Sequence, residues 1–454
     1  MAYFRSSIIL IFTCLILGLP VSAQDSIDTE KLDRFFTQLS ENNRFMGSVA
    51  ILSGNDIVFE SAYGVISADG KPATTETVYR VGSITKSFTA AMIMKLAERD
   101  SLSLDTTLEN YFPNLPNADE ITIEILLRHQ SGLVNFTNMP DYVSYFEDET
   151  FREQMLNRFQ EAGTSFEPGE STEYSNTGYV LLGYIVEDET DLSYTDALQQ
   201  MITGPLDLNS TYYATGIDPD LNEADSFTFQ ENDWVPASRT NMFIPGGAGA
   251  IASTAEETAR FFRNLLKGDM LTEESLREMT AFEGSYGLGL SRFPFGDRTF
   301  VGHNGGIDGF RSNAAHYADG DLTMAILSNG LNYNFNDILI GTLSIVFGQD
   351  YEIPNVEERA ALTLPKDKLE KYTGSYSSSN FPLDIELFLD GDNLMAQATG
   401  QGAFPLTIYS ETTMAFEQAG IDMEFSDFSD GRYHAFRFTQ AGQQFDFMLQ
   451  EDSE

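Results

Sequence analysis

Cysteine is almost missing from this chain. The single example, Cys14, lies within an apolar leader, so the body of the protein has no thiol nucleophile, disulfide or cysteine-bound metal. Basic residues are also scarce: Lys and Arg number 26 against 69 Asp and Glu, for a net charge of −43. A surface this acidic repels phosphate backbones and anionic lipid, which excludes nucleic acid and charged membrane surfaces as partners. The acidic residues are scattered, without the spacing of a calcium or sodium loop, and read as a solvated face. Also lacking are the G-x-S-x-G elbow, H-E-x-x-H and a phosphate-binding loop. Gly247 to Ala252 (GAGAIA) lacks the strand–helix surroundings of a dinucleotide fingerprint and fits a tight turn. No cofactor and no metal are therefore expected.

No apolar run reaches the length of about 20 residues that a membrane span needs. The longest candidate, Ile8 to Leu19, follows a lone Arg5 and ends at Val21-Ser22-Ala23. That is the pattern of a signal peptide over residues 1–23, removed after Ala23. It leaves a chain of charge −44, exported to the periplasm or the exterior and without a stable membrane span.

The 12% aromatic content argues for packed cores, and no internal repeat or low-complexity tract interrupts them. Met46 to Gly64 reads as a β-hairpin about Ser53-Gly54-Asn55-Asp56. After Val78 to Gly82 the period turns helical, with Phe88, Met92, Ile93 and Leu96 on one face of Ser83 to about Glu98. Helical patterns such as Tyr179 to Val186 and Tyr194 to Ile202 fill much of Leu102 to Asp233. Strand-like text returns at Tyr286–Leu290, Thr299–Gly302, Ser312–Tyr317 and Leu322–Ser328, before a helix near Asn336 to Val346. This order predicts an α+β domain over residues 24–352: an antiparallel sheet flanked by helices, with a mostly helical insertion. Residues 353–365 read as a linker, and the short alternating strands of 366–454 as a small all-β barrel.

Three short motifs could carry chemistry. Ser83-Ile84-Thr85-Lys86 puts an amine one helical turn from a hydroxyl, where a desolvated lysine can take its proton. Tyr174-Ser175-Asn176 offers a phenol that a neighbouring cation would favour as phenolate, and an amide able to hold a substrate. His303-Asn304-Gly305-Gly306 follows a strand, and a glycine there lets substrate lie alongside while a backbone N–H meets an oxyanion. Each motif alone also fits an ordinary helix start, a half-buried tyrosine or a structural histidine. His129, His316 and His434 read as structural.

Their order, S-x-x-K then Y-S-N then H-x-G, resembles the serine β-lactamase-related family, close to class C β-lactamases, DD-carboxypeptidases, D-aminopeptidases and esterases. The likeness spans roughly residues 30–348 and includes IEILLRHQSGL (Ile123 to Leu133), the surroundings of Tyr174, GGAGAIAST (Gly246 to Thr254) and HNGGIDGFRS (His303 to Ser312). The C-terminal part resembles the lipocalin-like domain often fused to such chains. The resemblance implies Ser83 as nucleophile, Lys86 and Tyr174 as the proton-transfer pair, and Asn176, His303 and Gly305 as substrate contacts. It also implies an oxyanion hole from the backbone N–H groups of Ser83 and Gly306. His303 stands where β-lactamases and DD-peptidases of the family carry the lysine of K-T-G, which replaces a permanent cation by a titratable ring. That exchange points to an ester, amide or peptide substrate. A true β-lactamase and a poorly catalytic peptide- or β-lactam-binding sensor stay open, as does the oligomeric state.

Overall fold

The computed structural model describes residues 27–356, 361–416, 419–440 and 443–450. The expected leader lies outside them, as do residues 357–360 of the expected linker. The chain begins with α1 (Thr29–Glu41), the hairpin β1 (Phe45–Ser53) and β2 (Asp56–Tyr63), the two-residue β3 (Tyr79–Arg80), and α2 (Thr85–Ala97). The helical insertion brings α3 (Ile123–Leu127), α4 (Arg152–Ala162), α5 (Asn176–Thr190) and α6 (Tyr194–Leu198). Short strands β4 (Tyr212–Tyr213), β5 (Phe227–Gln230), β6 (Asp233–Pro236) and β7 (Ile251–Ser253) lead to α7 (Ala255–Lys267) and α8 (Glu273–Met279). Strands β8 (Ser291–Phe295), β9 (Arg298–Ile307), β10 (Phe310–Tyr317) and β11 (Leu322–Leu331) precede α9 (Phe335–Val346).

The main sheet runs β2-β1-β11-β10-β9-β8, antiparallel along that path. Period-2 alternation decides what each strand buries on each face. Ala50, Leu52, Ala314, Ala325 and Leu327 join the core shared with α2, α5 and α7. Val49, Ile51, Ala315, Met324 and Ile326 face the other way, into a second core with α1 and α9. Helix α1 fits that role because Leu32, Phe35, Phe36 and Leu39 recur at helical spacing, and the Asp28 carboxylate caps its first turn by accepting from the Lys31 N–H at 2.9 Å. Helix α2 is buried on nearly every side, with Phe88 stacked on Phe261 of α7. Its hydroxyl residues are satisfied internally. Thr89, for example, donates to the Gly247 carbonyl at 2.6 Å.

One expected strand is a turn. Tyr286 to Leu290 contributes only isolated bridges at Tyr286, and Gly289 adopts φ +68°. The Gly289 carbonyl accepts the Ser87 hydroxyl at 2.7 Å, which ties this loop to α2 in place of a ladder. Regular pairing starts at Ser291.

The C-terminal strands, β12 (Gly374–Ser377), β13 (Ile385–Asp390), β14 (Asn393–Ala398), β15 (Phe404–Pro405), β16 (Thr407–Ile408), β17 (Thr413–Phe416), β18 (Ile421–Ser429), β19 (Arg432–Gln440) and β20 (Gln443–Leu449), form one sheet. Its order is β15-β14-β13-β12-β20-β19-β18-β17-β16, and the two edge strands are separated by Leu406 alone, so the sheet curls into a nearly closed barrel. Tyr376, Phe425, Phe436 and Phe447 fill its interior. Among the described residues no helix is long and apolar enough to cross a membrane.

Candidate active site

The path to Ser83 is set by three residues of β3 and its exit. After Arg80 and Val81 the chain turns at Gly82, whose φ is +54°. A Cβ at Gly82 would sit 2.7 Å from the Gly306 nitrogen, so both the dihedral and the contact demand glycine. The turn delivers Ser83 into a short 3₁₀ segment, Gly82–Ile84, that feeds α2. Lys86 follows in the first turn of that helix and is fully buried.

The Lys86 amine reaches Ser83 Oγ at 3.1 Å, Asn176 Oδ1 at 2.7 Å and the Ala248 carbonyl oxygen at 2.8 Å. Burial pushes its pKa well below the usual lysine range. A neutral amine has two protons and one lone pair. The carbonyls of Asn176 and Ala248 can only accept, so they take the two protons and leave the lone pair for the Ser83 hydroxyl. A deprotonated Lys86 would thus aim its lone pair at the serine, and among the described residues no carboxylate is recorded as holding it cationic.

Tyr174 closes the other side. Lys86 Nζ lies 4.8 Å from the centre of its ring, and its hydroxyl hydrogen-bonds Ser83. Burial drives the Tyr174 pKa upward, with Tyr286 adding to the shift, while the Ser83 bond opposes it. Burial thus disfavours the phenolate and holds Tyr174 as a phenol. The Tyr174 backbone runs straight into α5, whose first residue, Asn176, is pinned at both ends of its amide. Its Oδ1 accepts from Lys86 and its Nδ2 donates to Thr137 Oγ1 at 3.0 Å. Asn176 is thus turned toward Lys86, and it does not line the cavity above Ser83.

That cavity, about 280 Å³, is bounded by Ser83, Tyr174, Tyr286, His303, Asn304 and Gly306 among others, none of them Asp, Glu, Lys or Arg. It opens along β9 because the β8 ladder stops at Ser291 opposite Gly302, leaving the edge of His303 to Gly306 without a strand partner on that side among the described residues. Gly305 packs against the Val81 carbonyl, where a larger residue would collide. His303 donates from Nδ1 to the Asn304 carbonyl at 2.5 Å; a carbonyl cannot donate, so Nδ1 carries the proton and Nε2 is the acceptor. Burial lowers the His303 pKa to about 4, so the ring is neutral near pH 7. The histidine thus differs from the lysine of K-T-G in both charge and polarity: it accepts where lysine donates.

The beta-lactamase family profile matches residues 32–343, about two thirds of the chain. The chain belongs to the beta-lactamase family. It is 27% identical over 440 residues to penicillin-binding protein 4* of Bacillus subtilis (strain 168), covering 87% of this chain and 93% of that one. It is also 27% identical over 303 residues to a D-aminopeptidase of Gluconobacter oxydans (strain 621H), covering 63% of this chain but only 56% of that one. Among solved structures, the D-amino acid amidase of Ochrobactrum anthropi SV3 complexed with D-phenylalanine superposes with a TM-score of 0.62 at 25% identity. That superposition covers 70% of this chain and 98% of the amidase.

Within this beta-lactamase-family site, several participants carried no motif. The Ala248 carbonyl comes from the GGAGAIAST segment, where it takes a proton from Lys86. Tyr286 sits in the loop read as a strand. His129 packs 4.6 Å from the Tyr174 ring, and its Nδ1 accepts the Ser175 N–H at 3.2 Å, which fixes the turn that carries Tyr174. The signal for His129 was the IEILLRHQSGL text around it, which pointed to a shared framework and not to a contact. His316 is buried at the far end of β10, against Thr323, and His434 lies in the C-terminal sheet.

Proposed function

We propose that the protein is an exported serine hydrolase that cleaves amides or esters, of the D-amino-acid amide or peptide type, through an acyl-enzyme on Ser83. The observation that carries this reading is the hydrogen-bond arithmetic at Lys86, which leaves its lone pair directed at Ser83 Oγ. Ser83 Oγ adds to the substrate carbonyl carbon and its proton passes to Lys86. The developing oxyanion is held by the N–H groups of Ser83 and Gly306. Collapse breaks the bond to the leaving nitrogen or oxygen, which takes the proton from Lys86 through Tyr174. Water then adds to the Ser83 ester, gives its proton to the same pair, and releases the acid and free Ser83. Asn176 acts here by orienting Lys86.

The family likeness to a D-aminopeptidase and a D-amino acid amidase supports amide substrates. The uncharged cavity lining supports a neutral flank beyond the scissile bond, where a β-lactam or a D-Ala-D-Ala peptide would bring a carboxylate. Class C-like β-lactam hydrolysis is accordingly the weaker reading. Export rests on the leader of residues 1–23. The test is a substrate panel of D-amino-acid amides, short aryl esters, a D-Ala-D-Ala peptide and a β-lactam, with mass spectrometry of Ser83. Turnover of the amides or esters with a transient Ser83 adduct is expected. A stable adduct without turnover on every substrate would turn the proposal into a sensor.

A further inference from the structure

The two oxyanion donors come from separate elements, Ser83 from the exit of β3 and Gly306 from β9, and something must fix the gap between them. The three residues ahead of Ser83 each touch the β9–β10 hairpin. Arg80 reaches Asp308 in the hairpin turn at 3.4 Å. The Val81 carbonyl accepts the Ser312 hydroxyl of β10 at 2.8 Å. Gly82 lies directly against Gly306. Of these, only the first is an ion pair, and it is buried, with Arg80 and Asp308 side chains 2% and 3% exposed.

Asp308 is held in a conformation that a free chain avoids. Its φ is +51°, in the left-handed region, two residues beyond Gly306. Its carboxylate accepts the Thr240 N–H at 3.1 Å and the Thr240 hydroxyl at 2.6 Å, while Arg80 also donates to the Thr240 carbonyl at 3.3 Å. Glu223 approaches the other side of the guanidinium at 3.5 Å. Next to Asp308, the Gly309 N–H donates to Ser226 Oγ at 3.1 Å. The turn is therefore built onto Arg80 and its neighbours, not merely beside them.

We propose that Arg80 and Asp308 are positioning residues that set the spacing between the Ser83 and Gly306 N–H groups. This rests on the oxyanion role given to those two groups above. Arg80 and Asp308 do not line the cavity, so they act on the reaction only through the backbone they hold. A donor displaced by a fraction of an ångström loses alignment with the tetrahedral oxygen while ground-state binding is largely kept.

The experiment compares an oxo ester with its thiono counterpart, whose larger sulfur is a poor acceptor for a tightly set pair of N–H groups. Wild type, Arg80→Lys, Asp308→Asn and the milder Ser312→Ala are assayed well below their unfolding temperatures, with Phe436→Leu, in the core of the C-terminal sheet, as a destabilised control. Arg80→Lys and Asp308→Asn are expected to lower kcat on the oxo ester by roughly tenfold or more with KM within about threefold, and to narrow the oxo/thiono preference by a similar factor. Ser312→Ala moves both in the same direction, so the test survives if an Arg80 or Asp308 variant does not fold. Phe436→Leu leaves the preference unchanged. A wild-type enzyme with no oxo/thiono preference would overturn the oxyanion assignment and this proposal with it. A wild-type preference that persists in all three variants would overturn the positioning role alone.

Discussion

The Lys86 amine meets Ser83 Oγ at 3.1 Å while the carbonyl oxygens of Asn176 and Ala248 accept from it at 2.7 and 2.8 Å. In its proposed role as base, Lys86 works only when deprotonated. Acylation should therefore rise with pH through the Lys86 pKa and level off above it, at a midpoint well below the usual lysine value. Lys86→Arg keeps a donor but stays protonated across that range, and its rate should fall by roughly 10²- to 10⁴-fold with no titration at the same midpoint. A pH–rate profile of kcat/KM on an aryl ester checks both.

Ser83→Ala removes the only atom that can form the acyl bond in this scheme. Turnover should fall by roughly 10⁴-fold or more while the thermal unfolding midpoint stays within a few degrees of wild type. Residual hydrolysis at wild-type level by the purified variant would refute the covalent route.

Tyr174→Phe separates the two halves of proton transfer. An amide nitrogen must be protonated to leave, whereas an aryl oxide departs unaided. The variant should lose about 10²-fold or more on a D-amino-acid amide and much less on an aryl ester. Equal losses on both would place Tyr174 in activating Ser83 and not in delivering the proton.

His303→Lys tests the uncharged cavity. An ammonium there would donate to a carboxylate that the neutral ring cannot hold. A charge-assisted bond of about 1.5 kcal/mol corresponds to roughly a tenfold lower KM for a β-lactam or D-Ala-D-Ala peptide. No gain is expected for a neutral amide, and the two KM ratios measured side by side decide the matter.

Stability against acid has its own reporter, away from the site. Burial lowers the His316 pKa to about 4, and Asp321, Lys267 and Arg263 face it. Between the unfolded value of about 6.5 and this folded value, the unfolded chain binds a proton that the native one refuses, so stability falls as pH falls. His316→Gln lacks this term. Asp337, pushed up to about 7, titrates in the opposite sense, so the readout is the difference between the two proteins. Urea unfolding should show that difference moving in the variant's favour by up to about 3 kcal/mol from pH 7 to pH 4.

Much of this architecture was legible before any coordinates. The central strands of the main sheet read as near-continuous apolar runs because each separates two cores, and Ser83 and Lys86 fall on one helical turn whatever surrounds them. Tyr286 to Leu290 misled because its apolar run looks like a strand, while the Ser87–Gly289 bond that makes it a turn joins residues far apart in sequence. The charge state of Tyr174 was less legible for a related reason. Proximity of a lysine was readable, but the burial that disfavours charge on both groups depends on what packs over them. Asn176 carried its motif but not its orientation, which Thr137 and Lys86 settle together.

The hairpin of β8 and β9 ends one residue before His303. A substrate that lies along the free edge beyond it is measured by a ruler whose divisions are single residues. Slipping by one division moves its carbonyl about 3.4 Å from Ser83 and turns each of its side chains to the opposite wall. Chain position and handedness would then be read in the same docking event, before any bond is made or broken.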